Sequence, residues 1–318
     1  MIRIGIIGAG GNGSGHARYY HECPRTEVVA VADPDMDRAG KLAEELGAHA
    51  VPDHRDFFGK VDAAVISSPG FLHREHAVDC TGAGLHIFCE KPMGLNTVEA
   101  QDIADAVDAA GVVCFVGFSV RFGGVVQTMK KRLEAGDVGD LVSLWSRRMT
   151  HRGPTETSPW RGDHTKSGGV LFELLVHEIE WLMALGGEVR SVYGRKWTKW
   201  AEGPRANDHI WATLNFTDRA VATHEGSWAS PVPDYYRGLF GTKAGMRSTD
   251  WGQGLVFCDP DGDDVELELE DRFDKRAHFL DCIEGKAESV ADARWGLKVT
   301  RVADAILESA ETDAVVQL

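Results

Sequence analysis

Ile2-Arg3-Ile4-Gly5-Ile6-Ile7-Gly8-Ala9-Gly10-Gly11-Asn12-Gly13 is an apolar run that ends in a G-x-G-x-x-G turn. The run is too short for a helix and rich in β-branched residues, so it reads as a buried strand. Gly8 permits the tight turn, Gly10 lets backbone approach a pyrophosphate, and Gly13 lets the following helix pack on the strand. Asp33 stands 20 residues beyond Gly13, at the end of a second apolar run, 28–32. A carboxylate there can accept hydrogen bonds from an adenosine ribose.

Working outward, further short apolar runs at 61–67, 86–89 and 112–116 alternate with helical patterns at 35–46, 73–83 and 97–110, the last with Thr97 as its expected cap. That alternation predicts an α/β fold: an N-terminal Rossmann domain, a doubly wound parallel sheet over residues 1–120. Beyond 120 the texture changes. A helix at 125–134, a strand at 141–149, a polar loop at 151–167 and a helix at 169–185 precede alternating stretches at 189–200, 209–216, 220–228 and 255–269. These predict a C-terminal α+β domain, 121–318, with an open, mostly antiparallel sheet that binds substrate and supports oligomerisation. Residues 231–237 read as a second specificity loop. Two closing helices are expected at 272–284 and 292–308, the last packing back on the first domain.

Composition bounds the function. Of 318 residues 43% are hydrophobic and 26% charged, ordinary globular usage that argues against disorder. A formal charge of -15 repels phosphate backbones and anionic lipid, so neither nucleic acid nor membrane is an expected partner. The acidic stretch 259–271 alternates with Val265, Leu267 and Leu269, which reads as the solvent face of a strand. Six scattered cysteines without a C-x-x-C pair point to reduced thiols. Met1 leads directly into a strand without a signal-peptide pattern, so a cytoplasmic location is expected.

Two further segments carry chemistry. Glu90-Lys91-Pro92 follows the run 86–89, at the carboxyl end of a predicted strand, where open α/β sheets bind ligands. The Lys91 ammonium could stabilise an oxyanion, or simply pair with Glu90 in solvent. In Gly168-Gly169-Val170-Leu171-Phe172-Glu173-Leu174-Leu175-Val176-His177-Glu178-Ile179-Glu180, the residues Glu173, His177 and Glu180 fall at i, i+4, i+7 and would share one helical face. That stripe reads as solvated or, alternatively, as a divalent-metal site; no metal is expected.

The glycine loop, Asp33, Ser67-Ser68-Pro69 with His73, Glu90-Lys91-Pro92, Arg121-Phe122 and the Gly168-Gly169…Glu173…His177 helix together resemble the Gfo/Idh/MocA oxidoreductases, in order and spacing, over nearly the whole chain. The resemblance implies that Lys91 contacts the reacting oxygen and that His177 is the acid/base. Glu173 stands where the family more often has Asp and joins them as a catalytic candidate. It further implies that Gly8, Gly10, Gly13, Asp33, Ser68, His73, Glu90 and Lys91 face the cofactor. His73 could lie near the nicotinamide or merely begin a helix. Arg121, Trp160 and Arg161 are candidate substrate contacts.

The implied activity is hydride transfer between a nicotinamide dinucleotide and a secondary hydroxyl or carbonyl of a sugar, polyol or cyclitol. His177 would take the proton while Lys91 stabilises the alkoxide. Two alternatives stand beside it: a glycosidase that retains NAD and oxidises its substrate transiently, and a non-catalytic dinucleotide sensor, which would not need Lys91 and His177 together. Asp33 points to NAD rather than NADP, since its carboxylate would face the 2′-phosphate. Tryptophans on the alternating strands predict a homo-oligomer, dimer or tetramer, through the open sheet.

Overall fold

The computed structural model describes residues 1–151, 159–200, 203, 205–218 and 220–318. It divides into two compact units, Met1–Gly117 with Asp274–Thr300, and Phe118–Phe273 with Arg301–Leu318. Among the described residues no helix is long and apolar enough to cross a membrane.

In the first unit β1 (Ile2–Ile7), β2 (Thr26–Ala32), β3 (His49–Val51), β4 (Ala63–Ile66), β5 (His86–Cys89) and β6 (Cys114–Val116) form one parallel sheet in the order β3-β2-β1-β4-β5-β6. That is the doubly wound order whose strand sequence reverses at β1 and β4, opening a crevice at the carboxyl edge. Ile4, Ile6, Val65, Ile66, Ile87 and Phe88 are fully buried, as strands covered on both faces require. The helices are α1 (Gly11–Glu22), α2 (Met36–Leu46), α3 (His73–Gly82) and α4 (Thr97–Ala110). The α4 cap is Asn96 rather than Thr97: Asn96 Oδ1 accepts from the Glu99 amide at 2.9 Å, and its Nδ2 donates to Glu99 Oε1. Strand β3, three residues long, carries too little pattern to read from sequence. After β6 the second unit begins with α5 (Gly124–Glu134).

Among the described residues the second unit holds nine strands. They are β7 (Leu141–His151), β8 (Val189–Trp197), β9 (His209–Phe216), β10 (Val221–Ser227), β11 (Ala229–Gly241), β12 (Gly245–Thr249), β13 (Gly254–Cys258), β14 (Val265–Glu266) and β15 (Val316–Gln317), in the order β14-β13-β12-β11-β7-β10-β9-β8-β15. Every pairing is antiparallel except β7 with β10. Three expectations are corrected. The stretch 255–269 is not one strand, because Asp259-Pro260-Asp261-Gly262 makes a turn in which the Asp261 amide donates to Asp259 Oδ1, leaving only Val265–Glu266 as β14. Residues 231–237 lie within β11 instead of forming a loop, with a register break between Ala229 and Asp234. The strand expected to reach Trp200 stops at Trp197, since the Asp208 carboxylate takes the amides of Lys199 and Trp200.

The 151–167 segment includes a short helix, α6 (His164–Ser167); residues 152–158 lie outside the described ones. A left-handed Gly168-Gly169 pair follows, then a π-turn (Leu171–Leu175) and α7 (Val176–Gly186). The chain closes with α8 (Lys275–Ile283), which starts three residues later than expected because Asp274 caps it, and α9 (Ala293–Thr312).

Within α7 the fully buried Glu178 accepts from Ser146, Trp181, Arg148 and Tyr235 at 2.9, 2.8, 3.2 and 3.0 Å. Burial alone would raise its pKa, but Arg237 and Arg148 outweigh burial and hold it at about 2. A depressed carboxyl stabilises the fold above its unfolded pKa and loses that contribution as pH falls through the folded one. Stability should therefore drop between about pH 4.5 and about pH 2. Glu178→Gln should flatten that limb in urea titrations and cost about 3 kcal/mol at neutral pH, through the buried cation left unpaired.

Candidate functional site

The first unit gathers its candidates at the carboxyl edge of the parallel sheet. Gly8 has φ +96°, and a Cβ there would stand 2.8 Å from the Ser67 carbonyl oxygen. At Gly13 a Cβ would lie 1.8 Å from the Gly8 oxygen, so helix and turn close only around glycine. Gly10 has nothing within 4 Å of that position, and it caps α1 without a side-chain hydrogen bond. Open space in front of free helix amides is what a pyrophosphate needs.

Asp33, at the end of β2, is buried. Its Oδ2 accepts from the Ala9 amide at 2.8 Å and its Oδ1 from the Asp35 amide at 2.9 Å. Each oxygen retains a lone pair for a ribose hydroxyl. Arg38 is held by Asp35 at 2.7 Å, and its nearest approach to Asp33 is 4.0 Å. Two carboxylates therefore meet anything at this corner, and NAD should bind at least tenfold tighter than NADP. Fluorescence titration of the protein with each dinucleotide checks this; equal binding would mean that Asp33 does not contact the ribose.

Ser68 follows β4, and its hydroxyl lies 2.8 Å from His76 Nδ1; burial brings the His76 pKa down to about 4, leaving a neutral ring. His73 is buried, with Nδ1 2.7 Å from the Pro92 oxygen and Nε2 2.8 Å from the Ser68 oxygen. Its ring thus stands between the ends of β4 and β5, where burial favours the neutral imidazole, which can donate to only one of the two carbonyls. Lys91 begins the turn after β5. The Glu90 carboxylate faces His16 Nε2 at 2.9 Å and Lys275 Nζ at 3.6 Å. Burial pushes the Glu90 carboxyl up, yet Lys275 and the His16 hydrogen bond outweigh this and hold it well below the carboxylate range. Sequence reasoning missed His16, His76 and Lys275. His16 follows Gly13 by three residues, a spacing that could have suggested it; Lys275, 184 residues beyond Lys91, left no local signal.

The second unit gathers the others. The π-turn inserts a residue into the helical ladder, closed by the Val176 amide on the Leu171 carbonyl, and so rotates the rest of the helix by about 100°. Glu173 lies inside this turn and His177 in the first turn of α7. Glu173 Oε1 accepts from Arg161 Nε at 3.1 Å, and the Arg161 guanidinium carbon lies 5.2 Å from the centre of the Trp160 ring. Arg121 pairs with the fully buried Glu180 at 2.9 Å, which gives Arg121 a structural partner. The His177 ring meets Phe118 edge-on at 6.5 Å. Among the described residues no group of three or more His, Cys, Asp or Glu is placed to hold a metal ion. An imidazole and two flanking ion pairs are what this cluster offers.

Comparison with known proteins bears on both units. The family model described as "Oxidoreductase family, NAD-binding Rossmann fold" matches residues 2–118, and that described as "GFO/IDH/MocA C-terminal domain" matches 126–247. D-glucoside 3-dehydrogenase of Escherichia coli (strain K12) is 26% identical over the whole of this chain and 97% of its own length. The 2,7-anhydro-N-acetylneuraminate hydratase of the same organism is 27% identical over 78% of this chain and 67% of its own. A levoglucosan dehydrogenase solved with NADH and levoglucosan has the same fold, with a TM-score of 0.89 at 21% identity over 99% of both chains.

Proposed function

Because this chain belongs to the Gfo/Idh/MocA oxidoreductases and carries their NAD-binding Rossmann domain, we propose that it transfers a hydride between NAD and a secondary hydroxyl or carbonyl of a sugar, polyol or cyclitol. The observation that carries this reading is a lysine, Lys91, at the carboxyl edge of the same sheet as the open Gly10 turn. Bound nicotinamide would supply the hydride acceptor or donor. The chain's own part is proton and charge handling: the His177 imidazole takes the hydroxyl proton, and the Lys91 ammonium donates to the oxygen as it becomes negative. Gly8, Gly10, Gly13, Asp33 and Ser68 hold the dinucleotide. Glu90 and His73 shape the Lys91 turn from beneath. Glu173, with Arg161 and Trp160, is assigned to a substrate hydroxyl and a sugar face.

Relatives named as dehydrogenases of sugar hydroxyls support the substrate class. A second reading, redox-neutral turnover with NAD retained, draws support from the relative named as a hydratase. One experiment separates the two. The purified protein is offered NAD with a panel of sugars, polyols and inositols, and reduced nicotinamide is followed by absorbance. Stoichiometric accumulation supports a dehydrogenase. Product without net NADH supports the second reading, and neither signal with any substrate would sink the proposal.

A homo-oligomer through the open sheet is part of the same reading. Trp211, Glu225, Arg147 and Tyr236 stand side by side in register across β9, β10, β7 and β11, and Trp211, Tyr236 and Phe240 are exposed. Six free thiols support a reducing, cytoplasmic setting.

A further inference from the structure

The turn that leads into α7 is unusual in three ways. Gly168 and Gly169 are both left-handed, at φ +72° and +71°. The helix then opens as a π-turn rather than an α-turn. Its first amides have no partner within the helix and look instead to one residue 36 positions downstream, Asn207. Asn207 is fully buried. Its Oδ1 accepts from the Leu171 amide at 2.9 Å, its backbone oxygen accepts from the Val170 amide at 3.0 Å, and its Nδ2 donates to the carbonyls of Gly168 and Arg205 at 3.0 and 2.8 Å. These partners leave only one orientation for the amide, since one end must accept and the other donate. The contact is close enough that a Cβ on Gly169 would lie 2.4 Å from Asn207 Nδ2.

Asn207 is itself anchored. Its amide donates to His164 Nδ1 at 3.0 Å, which makes that nitrogen an acceptor and leaves the His164 proton on Nε2, 3.4 Å from Asp208 Oδ1. Asp208 also takes Trp228 Nε1 at 2.5 Å and the amides of Lys199 and Trp200. Burial would raise the Asp208 carboxyl, but the neighbouring His164 ring and these amides hold it at about 2.

We propose that Asn207 is a positioning residue for catalysis: it caps the helix from outside and keeps the 171–175 turn wide, which sets the rotation of Glu173 relative to His177. The physical basis is the one-residue insertion. Were the turn to tighten to α geometry, the segment N-terminal to it would turn by about 100° around the axis relative to His177, drawing the Leu171 amide and the Gly168 carbonyl off Asn207. An external cap that accepts from Leu171 and grips the Gly168 carbonyl opposes that swing. The consequence for activity rests on the proposed role of His177; the anchoring itself does not.

The test uses Asn207→Ala and Asn207→Asp in the full chain. Hydrogen exchange by NMR reads the Leu171 amide, which should lose at least tenfold of its protection in Asn207→Ala but keep it in Asn207→Asp, where an oxygen still accepts. Turnover should fall at least tenfold in Asn207→Ala and less in Asn207→Asp, with NAD affinity within twofold and the pH limb of kcat displaced. Unchanged Leu171 exchange in Asn207→Ala overturns the anchoring. Faster exchange with unchanged kcat and pH limb overturns the positioning role. If Asn207→Ala does not fold, the graded loss in Asn207→Asp carries the test, and wild-type turnover there counts against the proposal. Wild-type turnover in His177→Asn would instead count against the proposed function, with Leu171 exchange still deciding the anchor.

Discussion

Lys91→Ala should lower turnover by roughly a hundredfold or more while dinucleotide affinity stays within a few fold. A single donor aimed at developing negative charge in a water-poor site is commonly worth about 3 kcal/mol, and each 1.4 kcal/mol is about a factor of ten in rate. Affinity is spared because the glycine turn and Asp33 are built from β1, α1 and β2, and none of their hydrogen bonds passes through Lys91. The fold should survive as well, since the buried neighbour Glu90 keeps His16 and Lys275 as partners. Lys91→Arg should fail almost as badly, because a planar guanidinium does not replace a compact ammonium. Steady-state rates and a thermal melt decide it: near-wild-type turnover in a folded Lys91→Ala protein would remove Lys91 from the mechanism.

His177→Asn is the second large effect. General acid or base catalysis by one side chain contributes about 10²- to 10⁴-fold, and an amide of similar size cannot take up a proton at neutral pH. In the oxidation direction the wild-type rate should rise with pH as the imidazole becomes neutral, a group whose ordinary pKa is ~6.5. The variant should lose that limb along with its turnover. Packing should change little, because the asparagine amide is planar and close in size to the imidazole that it replaces. A pH profile that keeps its limb in His177→Asn would show that another group moves the proton.

Local chemistry made much of this protein legible without coordinates. The run Ile2–Ile7 into Gly8, Gly10 and Gly13 specifies strand, turn and helix by steric necessity, because only glycine tolerates φ +96° at Gly8 and the 1.8 Å approach at Gly13. Asp33 could be found by counting, and Lys91 by its place after a strand. The second unit was less legible. Alternation alone could not distinguish the strand β11 from a loop at 231–237, nor foresee that Asp259-Pro260-Asp261-Gly262 would turn, since hydrophobic period carries no information about which segment finds a partner strand.

By itself, then, the sequence determined whatever depends on neighbours a few residues apart: the parallel α/β unit, the glycine turn, the acidic end of β2 and the lysine after β5. Only the tertiary structure decided the features that depend on distant partners. It set His16 and Lys275 against Glu90, Arg161 against Glu173 and Arg121 against Glu180, and it bound Asn207 to the opening of the His177 helix. It also opened that helix as a π-turn, with the Leu171 amide satisfied from 36 residues away rather than from within. The division has a physical source. Steric limits on φ and ψ act within a turn, whereas a buried charge or an unsatisfied amide must take its partner from wherever the fold brings one.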